Sequence, residues 1–136
     1  MIREDIYMLC FINPGHDQKY DSGAVNPATG ARECDIAARI GEKLKEYLEA
    51  AGVSCIVMQS DNLDWDTAYS DRMNASVCGS ANDSGADLFV SIHCNAANRA
   101  AKGTETLIYS AGGKSQLLAH ALVRVDALGH AFKAVA

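Results

Sequence analysis

Short apolar runs alternate along this chain with longer segments of helical period, and this alternation constrains the fold most strongly. The runs have the length of buried strands and many β-branched or aromatic residues. They cover residues 7–12, 53–58, 87–93 and 104–109. Helices are predicted over residues 33–51, 69–84 and 115–136. Strands that alternate with helices form βαβ units, so we expect an α/β fold, a three-layer twisted and mostly parallel sheet with helices on both faces.

The composition is that of a globular domain, and it excludes two classes of partner. The chain has 136 residues, of which 49% are hydrophobic, and we expect one domain over residues 1–136. The net charge is −5 and no basic stripe is visible, which argues against nucleic acid. No apolar run approaches the ~20 residues that span a membrane. We also expect the protein to be a monomer. Five cysteines without a CxxC motif predict small buried side chains in a reduced compartment rather than a disulfide framework.

Three side chains that commonly bind metals stand where predicted strands end or a helix begins. His16 follows the first strand after a Pro-Gly pair, and His93 ends the strand over residues 87–93. Glu33 opens the helix that must begin near the end of the first strand. Ligands of open α/β sheets bind at the carboxyl ends of the strands, so these three side chains can converge. Two histidines, one glutamate and a water form a recurrent catalytic zinc arrangement.

Each of these residues also has an ordinary structural interpretation. A histidine after a strand is more often a hydrogen-bonded structural residue than a ligand. A glutamate in the first turn of a helix usually stabilises the helix dipole. The predicted convergence of all three side chains is what favours a metal site.

Several motifs, in order along the chain, carry a resemblance to a known family. They are Asn-Pro-Gly-His at 13–16, Asp-Ser-Gly-Ala at 21–24, Glu33, Ala-Asp-Leu-Phe-Val-Ser-Ile-His-Cys-Asn-Ala at 86–96, and Gly-Thr-Glu-Thr at 103–106. In order and spacing they resemble the zinc-dependent N-acetylmuramoyl-L-alanine amidases of the amidase-3 family, which are cell-wall hydrolases, autolysins and phage endolysins. The resemblance implies that His16, Glu33 and His93 are zinc ligands, and that the enzyme cleaves the amide between N-acetylmuramic acid and L-alanine in peptidoglycan. Asn95, in the same motif as His93, is predicted to bind the substrate.

The chain departs from the family pattern in two places. The family usually has glycines after the first histidine, where Asp17 stands here, and we interpret Asp17 as a solvated loop residue rather than a partner of the ligands. Family members continue past the last helix with two strands, the final one carrying a glutamate that acts as general base. Residues 124–136 contain no glutamate, so we predict a C-terminal truncation or a change of reading frame, with the last strands of the family fold missing. Glu105 is the nearby carboxylate that could substitute as the catalytic base.

These departures leave three functions open. The first is a zinc amidase that acts on peptidoglycan or muropeptides. The second is a zinc-binding or muropeptide-binding remnant without the general base, and the third is another zinc amidohydrolase or peptidase. Acidic residues interrupt the first ten positions, which therefore do not resemble a signal peptide. Action on the cell wall would require export or a phage-type release.

Overall fold

The computed structural model describes residues 7–62, 76–94, 103–125 and 133–135. Within these ranges the elements follow one another as β1 (Leu9–Pro14), α1 (Glu33–Ala50), β2 (Ser54–Val57), α2 (Val77–Ser84), β3 (Leu88–His93), β4 (Glu105–Leu107), α3 (Gly113–Val125) and β5 (Lys133–Val135). The strands form one sheet in the order β2-β1-β3-β5-β4. β1 is parallel to both of its neighbours, and β4 is parallel to β5, whereas β5 runs antiparallel to β3. The predicted α/β fold with a mostly parallel sheet is confirmed.

Helices cover both faces of the sheet because β1 and β3 are apolar on both sides. On one face, Ala37 of α1 packs with Cys10 and Ile12 of β1 and with Val90 and Ile92 of β3. On the other face, Phe11 and Phe89 stack at 5.9 Å between ring centroids, and Phe11 packs with Val77 and Ala81 of α2. These two clusters fix β1 and β3 in the middle of the molecule, with their carboxyl ends at one edge.

The predicted last helix is too long. α3 ends at Val125, and residues 133–135 form β5, which pairs with β3 on one side and with β4 on the other. The prediction of a helix that extends to residue 136 is therefore wrong. The alanine-rich end of the chain is compatible with a helix. As a strand, however, β5 provides hydrogen-bond partners for the backbones of both β3 and β4, and this gain outweighs the local helix propensity.

Three smaller predictions can be compared with the structure. The strand predicted over 104–109 is shorter, as β4, and the part of the predicted helix over 69–84 that precedes residue 76 lies outside the described residues. The five cysteines are free thiols; Cys10 and Cys34 are buried, whereas Cys78 is exposed. Across the described part of the chain, no helix combines the length and apolarity that a membrane crossing requires.

Candidate metal centre

His16, Glu33 and His93 meet at the carboxyl ends of β1 and β3. Nε2 of His16 lies 3.1 Å from Oε1 of Glu33, and Nδ1 of His93 lies 3.3 Å from the same oxygen. The two ring nitrogens are 3.2 Å apart. Glu33 is buried, with 5% of its surface exposed, and both histidines are half-buried. The structure thus brings the three predicted ligands together in a nearly equilateral triangle.

The triangle has the size that a tetrahedral zinc ion requires. Zinc binds imidazole nitrogen and carboxylate oxygen at about 2.0–2.2 Å, which places neighbouring ligand atoms of a tetrahedron about 3.3 Å apart. The observed sides of 3.1, 3.2 and 3.3 Å agree with that spacing. Two nitrogens and one oxygen from protein also leave a fourth position open, which is typical of catalytic rather than structural zinc sites. The residues present therefore fit a zinc ion.

Two glycines make room for the two imidazole rings. A Cβ on Gly15 would lie 2.3 Å from Cε1 of His93, and a Cβ on Gly23 would lie 2.5 Å from Cδ2 of His16. The backbone of His16 itself is left-handed, with φ 65°, which few residues other than glycine adopt. The rings meet edge to face, with centroids 4.8 Å apart. Sequence and backbone together direct both ring nitrogens at one point.

Backbone amides hold Glu33 as an ionised carboxylate. Its Oε2 accepts a hydrogen bond from the amide of Ala24 at 3.1 Å, and its Oε1 accepts one from the amide of Cys94 at 2.8 Å. Burial would raise the pKa of Glu33, but these two amides and the neighbouring charges of His16 and His93 outweigh it and lower the pKa. Glu33 is therefore charged at neutral pH, as a metal ligand must be.

Asp21 orients His16 from behind the ligand triangle. Its Oδ2 lies 2.8 Å from Nδ1 of His16, so that Nδ1 donates to Asp21 and Nε2 is directed toward Glu33 and His93. Burial lowers the pKa of His16, but the hydrogen bond to Asp21 and the charges of Glu33 and Asp21 raise it overall. The hydrogen bond to His16 is also the largest cause of the lowered pKa of Asp21. Asp21 is a residue of this centre that the sequence analysis did not single out, although it stands in one of the quoted motifs.

Asp17, by contrast, is a loop residue, as predicted. Its Oδ1 accepts hydrogen bonds from the amides of Lys19 and Tyr20, at 2.8 and 2.9 Å. Its backbone exchanges two hydrogen bonds with that of Asp21, of 2.8 and 3.1 Å, which closes the loop and returns Asp21 to His16.

Of the two remaining predicted site residues, only one belongs to the part of the chain that the structure describes. Asn95 is outside the described residues. Glu105 is exposed on β4. In the register of the sheet, Glu105 stands opposite Lys133 of β5, and Lys133 stands opposite His93 of β3. Two strand spacings, about 10 Å, therefore separate the backbones of Glu105 and His93 on the same face of the sheet. This position is too distant for a fourth ligand, and the catalytic role of Glu105 stays a prediction.

The chain is similar in sequence to proteins of one family. A sequence profile of the amidase-3 family, described as N-acetylmuramoyl-L-alanine amidase, matches residues 10–131. The N-acetylmuramoyl-L-alanine amidase LytC of Bacillus subtilis (strain 168) is 35% identical over 97 residues, which are 71% of this chain and 18% of LytC. The uncharacterized protein YqiI of the same strain is 37% identical over 100 residues, 74% of this chain and 44% of YqiI. The chain thus spans less than half the length of both relatives.

Two solved structures share the fold. The N-acetylmuramoyl-L-alanine amidase from Clostridium difficile 630 has a TM-score of 0.63 at 30% identity, covering 83% of this chain and 59% of that one. The N-acetylmuramoyl-L-alanine amidase AmiC2 of Nostoc punctiforme has a TM-score of 0.65 at 21% identity, covering 93% of this chain and 77% of that one, which bears on the fold alone.

Proposed function

The chain belongs to the N-acetylmuramoyl-L-alanine amidase family, and from this premise we propose that it is a zinc-dependent hydrolase of the amide between N-acetylmuramic acid and L-alanine in peptidoglycan. The observation that carries the proposal is the triangle of ligand atoms from His16, Glu33 and His93. Peptidoglycan lies outside the cytoplasm, so the protein would act on the cell wall after export or after a phage-type release.

Each residue of the centre has a distinct task in this reaction. His16, Glu33 and His93 would hold zinc, and Asp21 keeps the proton of His16 on Nδ1. When bound, zinc would supply a Lewis acid that polarises the scissile carbonyl and lowers the pKa of a water molecule. The amides of Ala24 and Cys94 keep Glu33 ionised and fixed in place. We assign the acceptor of the water proton to Glu105, which shares a sheet face with His93.

The experiment measures zinc content and amide hydrolysis on the same purified protein. We expect about one zinc per chain and the release of free L-alanine amino termini from purified peptidoglycan. His93→Ala should lose both, because two remaining ligands cannot hold the ion. Stoichiometric zinc in His93→Ala would refute the ligand assignment.

Glu105→Gln separates the proposed enzyme from a zinc-binding remnant. Loss of a general base lowers the rate by about 10²–10⁴-fold while zinc content stays unchanged. A rate equal to wild type would remove Glu105 from the mechanism. Zinc binding by the wild type without any hydrolysis would favour the remnant.

A further inference from the structure

The hydrogen bonds that set the spacing of the three ligands form a closed ring. The amide of Gly15, next to His16, donates to the carbonyl of Ile92, next to His93, at 2.8 Å. The amide of Cys94, on the other side of His93, donates to Glu33 itself. Two of the three ligand pairs, His16 with His93 and His93 with Glu33, are therefore each linked by one hydrogen bond at or next to the ligands.

The third pair, His16 and Glu33, is linked through the side chain of Gln59. Its Nε2 donates to the carbonyl of Cys34, which follows Glu33, at 2.8 Å, and to the carbonyl of Gly15, which precedes His16, at 3.3 Å. Gln59 follows β2, a strand that supplies no ligand, and its side chain is half-buried. One amide group therefore bridges the end of β1 and the first turn of α1.

The segment that carries Gln59 is itself fixed to the sheet. Nδ2 of the buried Asn13 donates to the carbonyl of Met58 at 2.9 Å. The hydroxyl of Ser91 donates to Oδ1 of Asn13 at 2.9 Å. Asn13 thus ties β1 and β3 to the residue before Gln59, so the bridge has a rigid base.

We propose that Gln59 is a positioning residue of the metal centre, which sets the separation between the His16 turn and the beginning of α1. The inference rests on the proposed function in one respect, that the triangle holds zinc. Both hydrogens of the side-chain amide are directed at carbonyl oxygens, and each of those oxygens has a second lone pair for its other partners. Without the amide, the two carbonyls lose their shared donor, and the distance between Nε2 of His16 and Oε1 of Glu33 loses one of its restraints. The others are the hydrogen bonds that tie Glu33 and Cys34 to the loop at Ala24 and Ser22.

A small loss of restraint is sufficient to affect metal binding. Ligand distances in metal sites vary by only about 0.2 Å, and loss of groups that orient ligands typically costs 10–100-fold in affinity. Gln59 acts through the backbone next to the ligands, so we expect an effect at the lower end of that range, about 10-fold.

The test compares Gln59→Met with Asp87→Ala. Methionine has a similar length and shape and removes both donors. Asp87 accepts a hydrogen bond from the amide of Leu9 at 2.8 Å, which ties β1 to β3 at the opposite ends of the same strands. The dissociation constant for zinc is measured by competition with a chromophoric chelator, and the visible spectrum of the cobalt-substituted protein reports the coordination geometry.

We expect zinc binding about 10-fold weaker in Gln59→Met, with an altered cobalt spectrum, and unchanged binding in Asp87→Ala even if both variants are less stable. Equal zinc affinity and equal spectra for Gln59→Met and wild type would overturn the inference. If Gln59→Met does not fold, Gln59→Asn, whose amide is one methylene shorter, decides by the same two readouts. A wild-type protein that binds no zinc would instead refute the proposed function.

Discussion

Replacing Gly15 with alanine should displace His93 from the metal centre while the sheet stays folded. The added Cβ would lie 2.3, 2.5 and 2.6 Å from Cε1, Nε2 and Nδ1 of the His93 ring. Non-bonded carbon atoms pack at about 3.5–4.0 Å, so the ring must retreat by roughly 1 Å. That shift is about five times the 0.2 Å by which metal–ligand distances vary. The φ of Gly15 is not left-handed, so the alanine backbone itself is tolerated.

We expect the zinc affinity of Gly15→Ala to fall by more than ~100-fold, beyond the range for residues that only orient ligands. Gly41→Ala is the matched control, because its Cβ would lie 2.6 Å from Cγ of Pro14, a similar overlap against a residue that binds no metal. That overlap costs about 1–3 kcal/mol of stability, partly offset by the helix propensity of alanine, and leaves zinc binding unchanged. Competition titration and thermal unfolding of both variants measure the two effects. A zinc dissociation constant for Gly15→Ala within about threefold of wild type would show that His93 is not a ligand.

Two further predictions concern Asp21 and pH. Asp21→Asn should weaken zinc binding by about 10–100-fold. Asp17→Asn, the same change four positions earlier, is the control and should leave zinc binding unchanged. Equal effects of the two substitutions in a competition titration would reject the pairing of Asp21 with His16. The metal-free protein should be most stable between about pH 4.5 and 6.5. The pKa of His16 is raised in the folded protein, so His16 stabilises the fold below pH 6.5, and this stabilisation is lost as the pH rises through the folded pKa of His16. The pKa values of Asp21 and Glu33 are lowered in the folded protein, so these two carboxylates stabilise the fold above pH 3.8 and 4.5, respectively. Their stabilisation is lost as the pH falls through their folded pKa values. With zinc added, the stability should instead increase as the pH rises above 6.5, because protons compete with zinc for the ligands. Unfolding temperatures that show the same pH dependence with and without zinc would contradict this prediction.

The sequence predicted the central half of the fold because its signals there are long and consistent. β1, α1, β2 and β3 each have a clear apolar period, and the helices that cover both faces follow from it. The end of the chain was mispredicted because β5 has three residues, and its pairing with β3 and β4 is a property of the assembled sheet.

The same distinction applies to the metal centre. The positions of His16, Glu33 and His93 follow from topology, since parallel strands end at one edge of the sheet. Asp21 depends on the closure of the loop by Asp17, and Gln59 on the reach of one side chain across two elements. Neither relation has a sequence period, so neither could be predicted from the pattern of residues.

The donor set also explains why the second carboxylate of the centre stands behind a histidine and not in the triangle. Calcium takes six to eight oxygens and magnesium an octahedron of oxygens, whereas two nitrogens and one oxygen about 3.2 Å apart suit a small tetrahedral ion. Asp21 in the triangle would add an oxygen and close the open position. Hydrogen-bonded to Nδ1 of His16, it places its negative charge beside the centre and favours the proton on Nδ1, and the fourth position of a bound zinc ion would stay available to the substrate or water. With Glu33, the two carboxylates balance the charge of one divalent ion.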